Sequence, residues 1–190
     1  MRIIGGTAKG RRLVCADGRV TRPTPDRVRG SLFNILGQAF DGEVVLDLFS
    51  GTGALSLEAI SRGASHAYMV ELGVEPLKAV RQNIDATGFG DRCTLYGMDV
   101  EKALEVVARD TGGRPFDLVF AGPPYAYRRD EWLMSEIMRL GLLATDGVAV
   151  FQHATRRVMP DAEGGLYRFD YRKFGDTSLS FYSQNPAGRG

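Results

Sequence analysis

From Glu43 onward the chain alternates short apolar runs with amphipathic stretches, and this rhythm constrains its fold more than any other feature. "EVVLDLF" (43–49) reads as a strand buried on both faces, followed by a helix over "GALSLEAISRG" (53–63) that carries Leu55, Ala59 and Ile60 on one side and stops at Gly63. The unit then repeats. "HAYMVE" (66–71) is a strand, and "EPLKAVRQNIDATG" (75–88) is a helix with Pro76 in its first turn, Leu77, Val80 and Ile84 at helical spacing, and Gly88 as C-cap. "CTLYGMD" (93–99), a helix over 100–109, the strand "FDLVFA" (116–121), a helix over 131–140 and the strand "GVAVFQH" (147–153) continue the pattern. Strands alternating with helices predict an α/β fold with a doubly wound, mostly parallel sheet. The period changes in "LYRFDYRKFGDTSLSFYS" (166–183), where large apolar and polar residues alternate around Gly175-Asp176, as in an antiparallel hairpin.

Ahead of this rhythm lies a segment of different character. Over residues 1–30, Arg2, Lys9, Arg11, Arg12, Arg19, Arg22, Arg27 and Arg29 face only Asp17 and Asp26, although the whole chain carries a net charge of +1. A basic end on a mildly acidic body suggests a polyanionic partner held at that end, against the alternative of a solvated arm. "RIIGG" and "RRLVC" are short strand candidates. "TPDRVRGSLFNILGQAF" predicts a helix with a Thr or Asp cap and Val28, Leu32, Phe33 and Leu36 on one face. The expected division is a small basic N-terminal extension over 1–40 and a main domain over 41–185, with the terminal "NPAGRG" frayed. At 44% hydrophobic and 25% charged residues the composition is that of a globular protein, and no apolar run approaches the roughly 18 residues of a membrane span. The start lacks the apolar core of a secretory signal, which leads to an expected cytoplasmic location. Cys15 and Cys93 lack ligand spacing and read as small apolar residues. His66 and His153 are isolated, so no metal is expected.

In open α/β sheets ligands bind beyond the carboxyl ends of the strands. After the first strand, Ser50-Gly51-Thr52-Gly53 allows a tight turn and brings backbone N–H groups to a helix start, a pattern shared by many nucleotide sites and by plain structural turns. Asp47, just ahead of the loop, would repel a pyrophosphate. S-adenosylmethionine carries an ammonium and a sulfonium instead, so an acidic loop favours it over NAD. Glu71 ends the second strand about 20 residues beyond the loop, where a carboxylate accepts from ribose hydroxyls. Asp99 ends the third strand and either accepts from an adenine amino group or caps the next helix. The fourth strand ends in Gly122-Pro123-Pro124-Tyr125: two prolines remove N–H donors and leave carbonyls to accept from an amine, and Tyr125 offers a face for stacking. That is a receptor for a flat base with an exocyclic amine, a base that must leave its stack to be modified. Arg128–Arg129 and Arg156–Arg157 follow strand ends and are either phosphate contacts or solvated side chains, while Trp132 reads as a helix anchor.

Taken together, "RIIGG" (2–6), "GRRL" (10–13), "RPTPDRVRGSLFNIL" (22–36), "LDLFSGTGALSLEAISRGA" (46–64), "DLVFAGPPY" (117–125) and "GDT" (175–177) resemble the RsmD family of bacterial 16S ribosomal RNA guanine-N2 methyltransferases. The resemblance runs over nearly the whole chain. It implies a Rossmann-like class I methyltransferase sheet, S-adenosyl-L-methionine as methyl donor, and 16S rRNA within an assembling small ribosomal subunit as partner of a monomeric protein. Asp47, Ser50, Gly51, Thr52, Gly53 and Glu71 would contact the cofactor and Asp99 its adenine. Arg11, Arg12, Arg22, Thr24 and Arg27 would meet the RNA, and Gly122, Pro123, Pro124 and Tyr125 would form the catalytic loop. The chain departs from the family pattern at Gly122, where an Asp usually accepts from the guanine amine, at Gly30 in place of Glu, and at Gly73 in place of an acid. A working guanine-N2 methyltransferase, its activity open to reduction by Gly122, and a form that binds cofactor and RNA without efficient transfer are the two readings this leaves.

Overall fold

A computed structural model describes residues 1–15 and 24–187 of the chain. The chain divides into two compact units, Met1–Val100 and Glu101–Gly190.

The first unit opens with helix α1 (Asp26–Leu36), which buries Val28, Leu32, Phe33 and Leu36 as its periodicity predicts. Pro25 occupies the N-cap and no side chain caps the helix, contrary to the expected Thr or Asp cap. The carboxylate of Asp26 is turned to other partners: it pairs with Arg29 at 2.9 Å and Arg2 at 3.5 Å. Strand β1 (Val44–Leu48) is buried along its whole length. Helix α2 (Ala54–Ser61) and strand β2 (His66–Val70) follow, then helix α3 (Val74–Thr87), ended by a left-handed Gly88 whose N–H bonds the carbonyls of Ile84 and Asp85. Strand β3 (Cys93–Tyr96) completes the unit. The strands are parallel in the order β3-β2-β1, with Val44 opposite His66 and Ala67 opposite Cys93.

The basic N-terminal segment is built into this unit. Its two strand candidates reduce to one antiparallel bridge between Arg2 and Arg12, flanked by Ile3 N–H to Arg11 carbonyl and Leu13 N–H to Met1 carbonyl bonds at 2.9 and 3.0 Å. "RIIGG" is bolted to α2. Ile4 N–H donates to Glu58 Oε2 at 2.8 Å, Ser61 Oγ donates to the Gly5 carbonyl at 2.6 Å, and Thr7 N–H donates to the Ser61 carbonyl at 2.7 Å. Gly6, at φ 72°, runs so close to α2 that a Cβ there would lie 1.8 Å from the Ser61 carbonyl oxygen, which only glycine permits. Ile3 and Leu13 are buried with Ala54 and Leu57. Cys93 packs beside that cluster, whereas Cys15 is exposed rather than packed as expected.

The second unit holds helix α4 (Val100–Asp110, whose first residue closes the first unit), strand β4 (Phe116–Ala121), helix α5 (Asp130–Arg139) and strand β5 (Leu143–Ala154), then β6 (Ala162–Glu163), β7 (Leu166–Phe174) and β8 (Thr177–Ser183). Strands β4 and β5 are parallel, with Leu118 opposite Val148; β5 then pairs antiparallel with β8, and β8 with β7. The hairpin turns at Gly175-Asp176 as the alternation predicts, and β6 adds a two-residue edge too short to leave a periodic signal. Thr155 secures the turn: its N–H bonds the Asp176 carbonyl at 2.9 Å and its hydroxyl the Gly175 carbonyl at 2.7 Å. The result is the α/β architecture expected, parallel strands with an antiparallel C-terminal hairpin. Among the described residues no helix is long and apolar enough to cross a membrane.

Candidate functional site

Where β1 ends, the backbone is strained. Phe49 has φ 66°, the only positive φ outside glycine among the described residues. A bulky residue in the left-handed region costs on the order of 1–2 kcal/mol and persists only where its surroundings enforce it, a situation concentrated at functional loops. The bend lets Ser50 N–H reach the Val70 carbonyl at 2.9 Å and starts the turn closed by Gly53 N–H to the Ser50 carbonyl at 2.8 Å. Gly53 then begins α2 with φ 74°; a Cβ there would come within 2.7 Å of Val80 Cγ2. Gly51 differs, since nothing lies within 4 Å of where its Cβ would stand. Thr52 is buried, and so is Ser50, whose hydroxyl oxygen has no hydrogen-bond partner. Buried hydroxyls are rarely left unpaired, so Ser50 Oγ is an unanswered group at the mouth of the loop.

Two carboxylates flank this loop. Glu71 accepts from Gly51 N–H through one oxygen at 2.8 Å and from Gly73 N–H through the other at 2.7 Å, which leaves each oxygen a further lone pair. Gly73 sits where the resemblance implies an acid; a Cβ there would lie 3.0 Å from Pro76 Cδ and 3.1 Å from Glu71 Oε1, so this close bond suits a glycine. Asp47, inside β1, is buried and accepts from Ser56 Oγ at 2.7 Å. Burial pushes its pKa up to about 7; the Ser56 hydrogen bond opposes the rise and the charge of Glu71 adds to it. Asp99, half-buried, lies between β3 and α4. Within the first unit the structure therefore brings Asp47, Ser50–Gly53 and Glu71 together around one loop.

In the second unit, β4 delivers the Gly122–Tyr125 loop. Pro123 is buried, while Gly122, Pro124 and Tyr125 are exposed, Tyr125 at 49%. The expectation of free proline carbonyls holds less well than its premise: the Pro124 carbonyl accepts from Tyr127 N–H at 2.9 Å, closing a turn. The next carbonyls are held by arginines. Arg157 donates to the Tyr125 carbonyl at 3.1 Å, to the Tyr127 carbonyl, and to Asp130 Oδ2 at 2.7 Å, and Arg128 donates to the same two carbonyls. The Arg157–Asp130 pair is largely buried; burial raises the Asp130 pKa and the Arg157 guanidinium opposes the rise. Arg129 pairs with Glu101 and lies over the Trp132 ring at 4.2 Å. Arg128 and Arg157 thus brace the loop, and Arg156 is the exposed member of the second pair. A Cβ added at Gly122 would meet only Gln152 Cβ, at 4.0 Å, an ordinary van der Waals contact. His153 is a core histidine: Nδ1–H donates to the Ala154 carbonyl at 3.0 Å, Nε2 accepts from Ser180 Oγ at 2.9 Å, and burial lowers its pKa.

Of the residues expected to meet RNA, Arg11, Arg12 and Arg27 are exposed, Thr24 is half-buried, and Arg22 lies outside the described residues. The backbone around Arg11 and Arg12 is tied down, so their side chains project from a fixed segment. Several buried polar residues are not foreseen from the sequence. Arg29 is fully buried and bonds Asp26 and the Arg2 carbonyl, with burial lowering its pKa. Glu58 is also fully buried, held by Arg62 Nε at 2.8 Å. Asn83, on α3, is the third.

Comparison with known proteins identifies the family. A family profile described as Conserved hypothetical protein 95 matches residues 1–183. The chain is 35% identical over 185 residues to YlbH of Bacillus subtilis strain 168, spanning 97% of this chain and 99% of that one. It is 28% identical over 188 residues to ribosomal RNA small subunit methyltransferase D of Escherichia coli K12, spanning 99% of this chain and 92% of the relative. A solved structure of a hypothetical protein from Thermus thermophilus superposes with a TM-score of 0.80 at 31% identity, covering 96% of this chain and 99% of that one. With a family profile spanning the chain almost end to end and full-length relatives on both counts, this protein belongs to the Conserved hypothetical protein 95 family, the RsmD family of methyltransferases.

Proposed function

We propose that this methyltransferase moves a methyl group from S-adenosylmethionine to the exocyclic N2 of a guanine in 16S rRNA, acting as a monomer on an assembling small subunit in the cytoplasm. The observation that carries the reading is the acidic, strained glycine loop: Asp47 and Glu71 flank it, Gly51 leaves its face open, and Ser50 Oγ is buried without a partner. A site with two carboxylates suits a ligand bearing cationic groups and hydroxyls and disfavours a pyrophosphate. Glu71 has lone pairs left for ribose hydroxyls, Ser50 Oγ supplies an unused hydroxyl, and Asp47 gains stability as a carboxylate when a cation approaches. Asp99 is assigned to the adenine. S-adenosylmethionine, when bound, supplies an electrophilic methyl group on a sulfonium.

The chain's own residues handle the base. Tyr125, exposed and set by carbonyls that Arg128 and Arg157 hold, is assigned to stack on the extruded guanine. Pro123, which has no N–H, is assigned to present its carbonyl to the N2 amine. Gly122 provides no carboxylate, so orientation of the amine rests on backbone and stacking, and positioning supplies most of the rate. Arg11, Arg12, Arg22, Thr24 and Arg27 are assigned to the RNA backbone, where charge sets affinity. The name of the Escherichia coli relative, a ribosomal RNA small subunit methyltransferase, supports the substrate class. Nucleoside mass spectrometry of 16S rRNA from unmodified small subunits, incubated with the protein and S-adenosylmethionine, tests the reading. N2-methylguanosine is the expected product, and methylation of another base or none would contradict it.

A further inference from the structure

The side chain of Asn83 on α3 is fully buried and makes three hydrogen bonds, two to one segment and one to another. Its Oδ1 accepts from Val14 N–H at 2.7 Å and its Nδ2 donates to the Val14 carbonyl at 3.0 Å, the pairing a strand neighbour would make. The remaining Nδ2 hydrogen goes to the Thr52 carbonyl, inside the glycine loop, at 2.9 Å. Only a primary amide of this length supplies one acceptor and two donors at that point. A carboxylate would face two carbonyls with no hydrogen to offer, and an aliphatic side chain would leave the buried Thr52 carbonyl and the part-buried Val14 N–H and carbonyl without this partner. Val14 lies on the basic arm, just beyond Arg11 and Arg12, and the arm's Ile3 and Leu13 pack on Ala54 and Leu57 of the helix that the glycine loop begins.

We infer that Asn83 is a positioning residue that links the RNA-binding arm to the cofactor loop, so that cofactor binding orders the arm and RNA on the arm tightens the cofactor. The inference rests on the cofactor and RNA assignments proposed above. Such coupling is reciprocal: whatever factor the cofactor contributes to RNA affinity, RNA contributes to cofactor affinity. A merely structural asparagine would lower stability without making the arm respond to the loop's ligand.

Hydrogen–deuterium exchange on the full chain, with and without S-adenosylhomocysteine, separates these outcomes. In the unaltered protein S-adenosylhomocysteine is expected to slow exchange at residues 50–53 and also at 13–15, although the ligand is assigned no contact with the arm. In Asn83→Asp, which keeps the acceptor for Val14 N–H and loses the donors to the Val14 and Thr52 carbonyls, protection is expected to remain at 50–53 and vanish at 13–15. The KM for 16S rRNA is then expected to rise about fivefold or more, the lower end of typical coupling factors, with kcat little changed. Protection confined to 50–53 in the unaltered protein, or arm protection that persists in the variant, would overturn the inference alone. Absence of protection everywhere would overturn the cofactor assignment and the inference with it.

Discussion

The carboxylate of Glu71 receives the backbone N–H of Gly51 at 2.8 Å, across 20 residues of sequence, and so ties the end of β2 to the loop that follows β1. The same group takes Gly73 N–H at 2.7 Å, which fixes its orientation before any ligand arrives. Removing it with Glu71→Ala deletes an ionised acceptor and frees the loop. Hydrogen bonds to charged groups are worth about 1.5–3 kcal/mol, so calorimetry should show S-adenosylhomocysteine binding weakened about 10- to 100-fold. Glu71→Gln keeps the shape but places an amide N–H₂ against one backbone donor, and should fall between the two.

Asp47 makes stability depend on pH in a definite direction. Its pKa is raised to about 7 in the fold, against about 3.9 for an unfolded carboxylate, so between these values the folded protein holds a proton that the unfolded chain has released. The stabilising contribution is complete below about pH 4 and is lost as pH rises through about 7. Urea midpoints of the ligand-free protein should therefore decline from pH 5 to pH 7.5, and Asp47→Asn should flatten that decline. A cationic ligand favours the carboxylate, so S-adenosylmethionine affinity should rise with pH over the same window.

Arg157 carries the geometry of the Gly122–Tyr125 loop. In Arg157→Gln the Tyr125 and Tyr127 carbonyls lose a donor and Asp130 is left as a buried charge, which should lower stability by about 3 kcal/mol. Misplacement of the base should lower kcat on the order of 10²-fold while S-adenosylhomocysteine affinity stays as it was. Arg157→Lys restores charge without the planar fork and should recover stability more than rate.

Gly30 lies in the interior of α1, and an added Cβ meets only Ile4 Cδ1, at 3.7 Å. Glycine inside a helix is about 1 kcal/mol less favourable than alanine, so Gly30→Ala should raise the thermal midpoint by about 2–4 °C without altering methyl transfer.

The βα rhythm was legible because each element announces itself locally. The buried run Val44–Leu48 and the alternation on either side of Gly175-Asp176 each carry a period that survives in the fold. Asp47, the glycine loop and Glu71 were legible because their place at strand ends is a rule of open sheets. Three kinds of feature were not. The strain at Phe49 is a backbone angle with no residue signature. Glu58 and Ser61 look like ordinary helix positions, and only the packed arm reveals that they hold Ile4, Gly5 and Thr7. Asn83 did leave a trace, a poor helix former amid the buried positions of α3, but its partners Val14 and Thr52 lie 69 and 31 residues away. The Asp26 carboxylate, expected near a helix cap, is drawn off by the buried Arg29, a competition that no local pattern records.

The proposed function has this chain transferring a methyl group although Gly122 stands where the resemblance to the RsmD family implies an acid. Single-turnover transfer of labelled methyl from S-adenosylmethionine to unmodified small subunits, run beside Gly122→Asp, tests it most directly. Measurable transfer by the chain as it stands is expected, with a rate higher by about 10²–10³ once a carboxylate is supplied, the usual contribution of one preorganised group. A Cβ at Gly122 meets only Gln152 Cβ, at 4.0 Å, and calls for no backbone shift. No transfer by the chain as it stands, whether or not Gly122→Asp is active, with S-adenosylhomocysteine bound by both, would contradict this expectation.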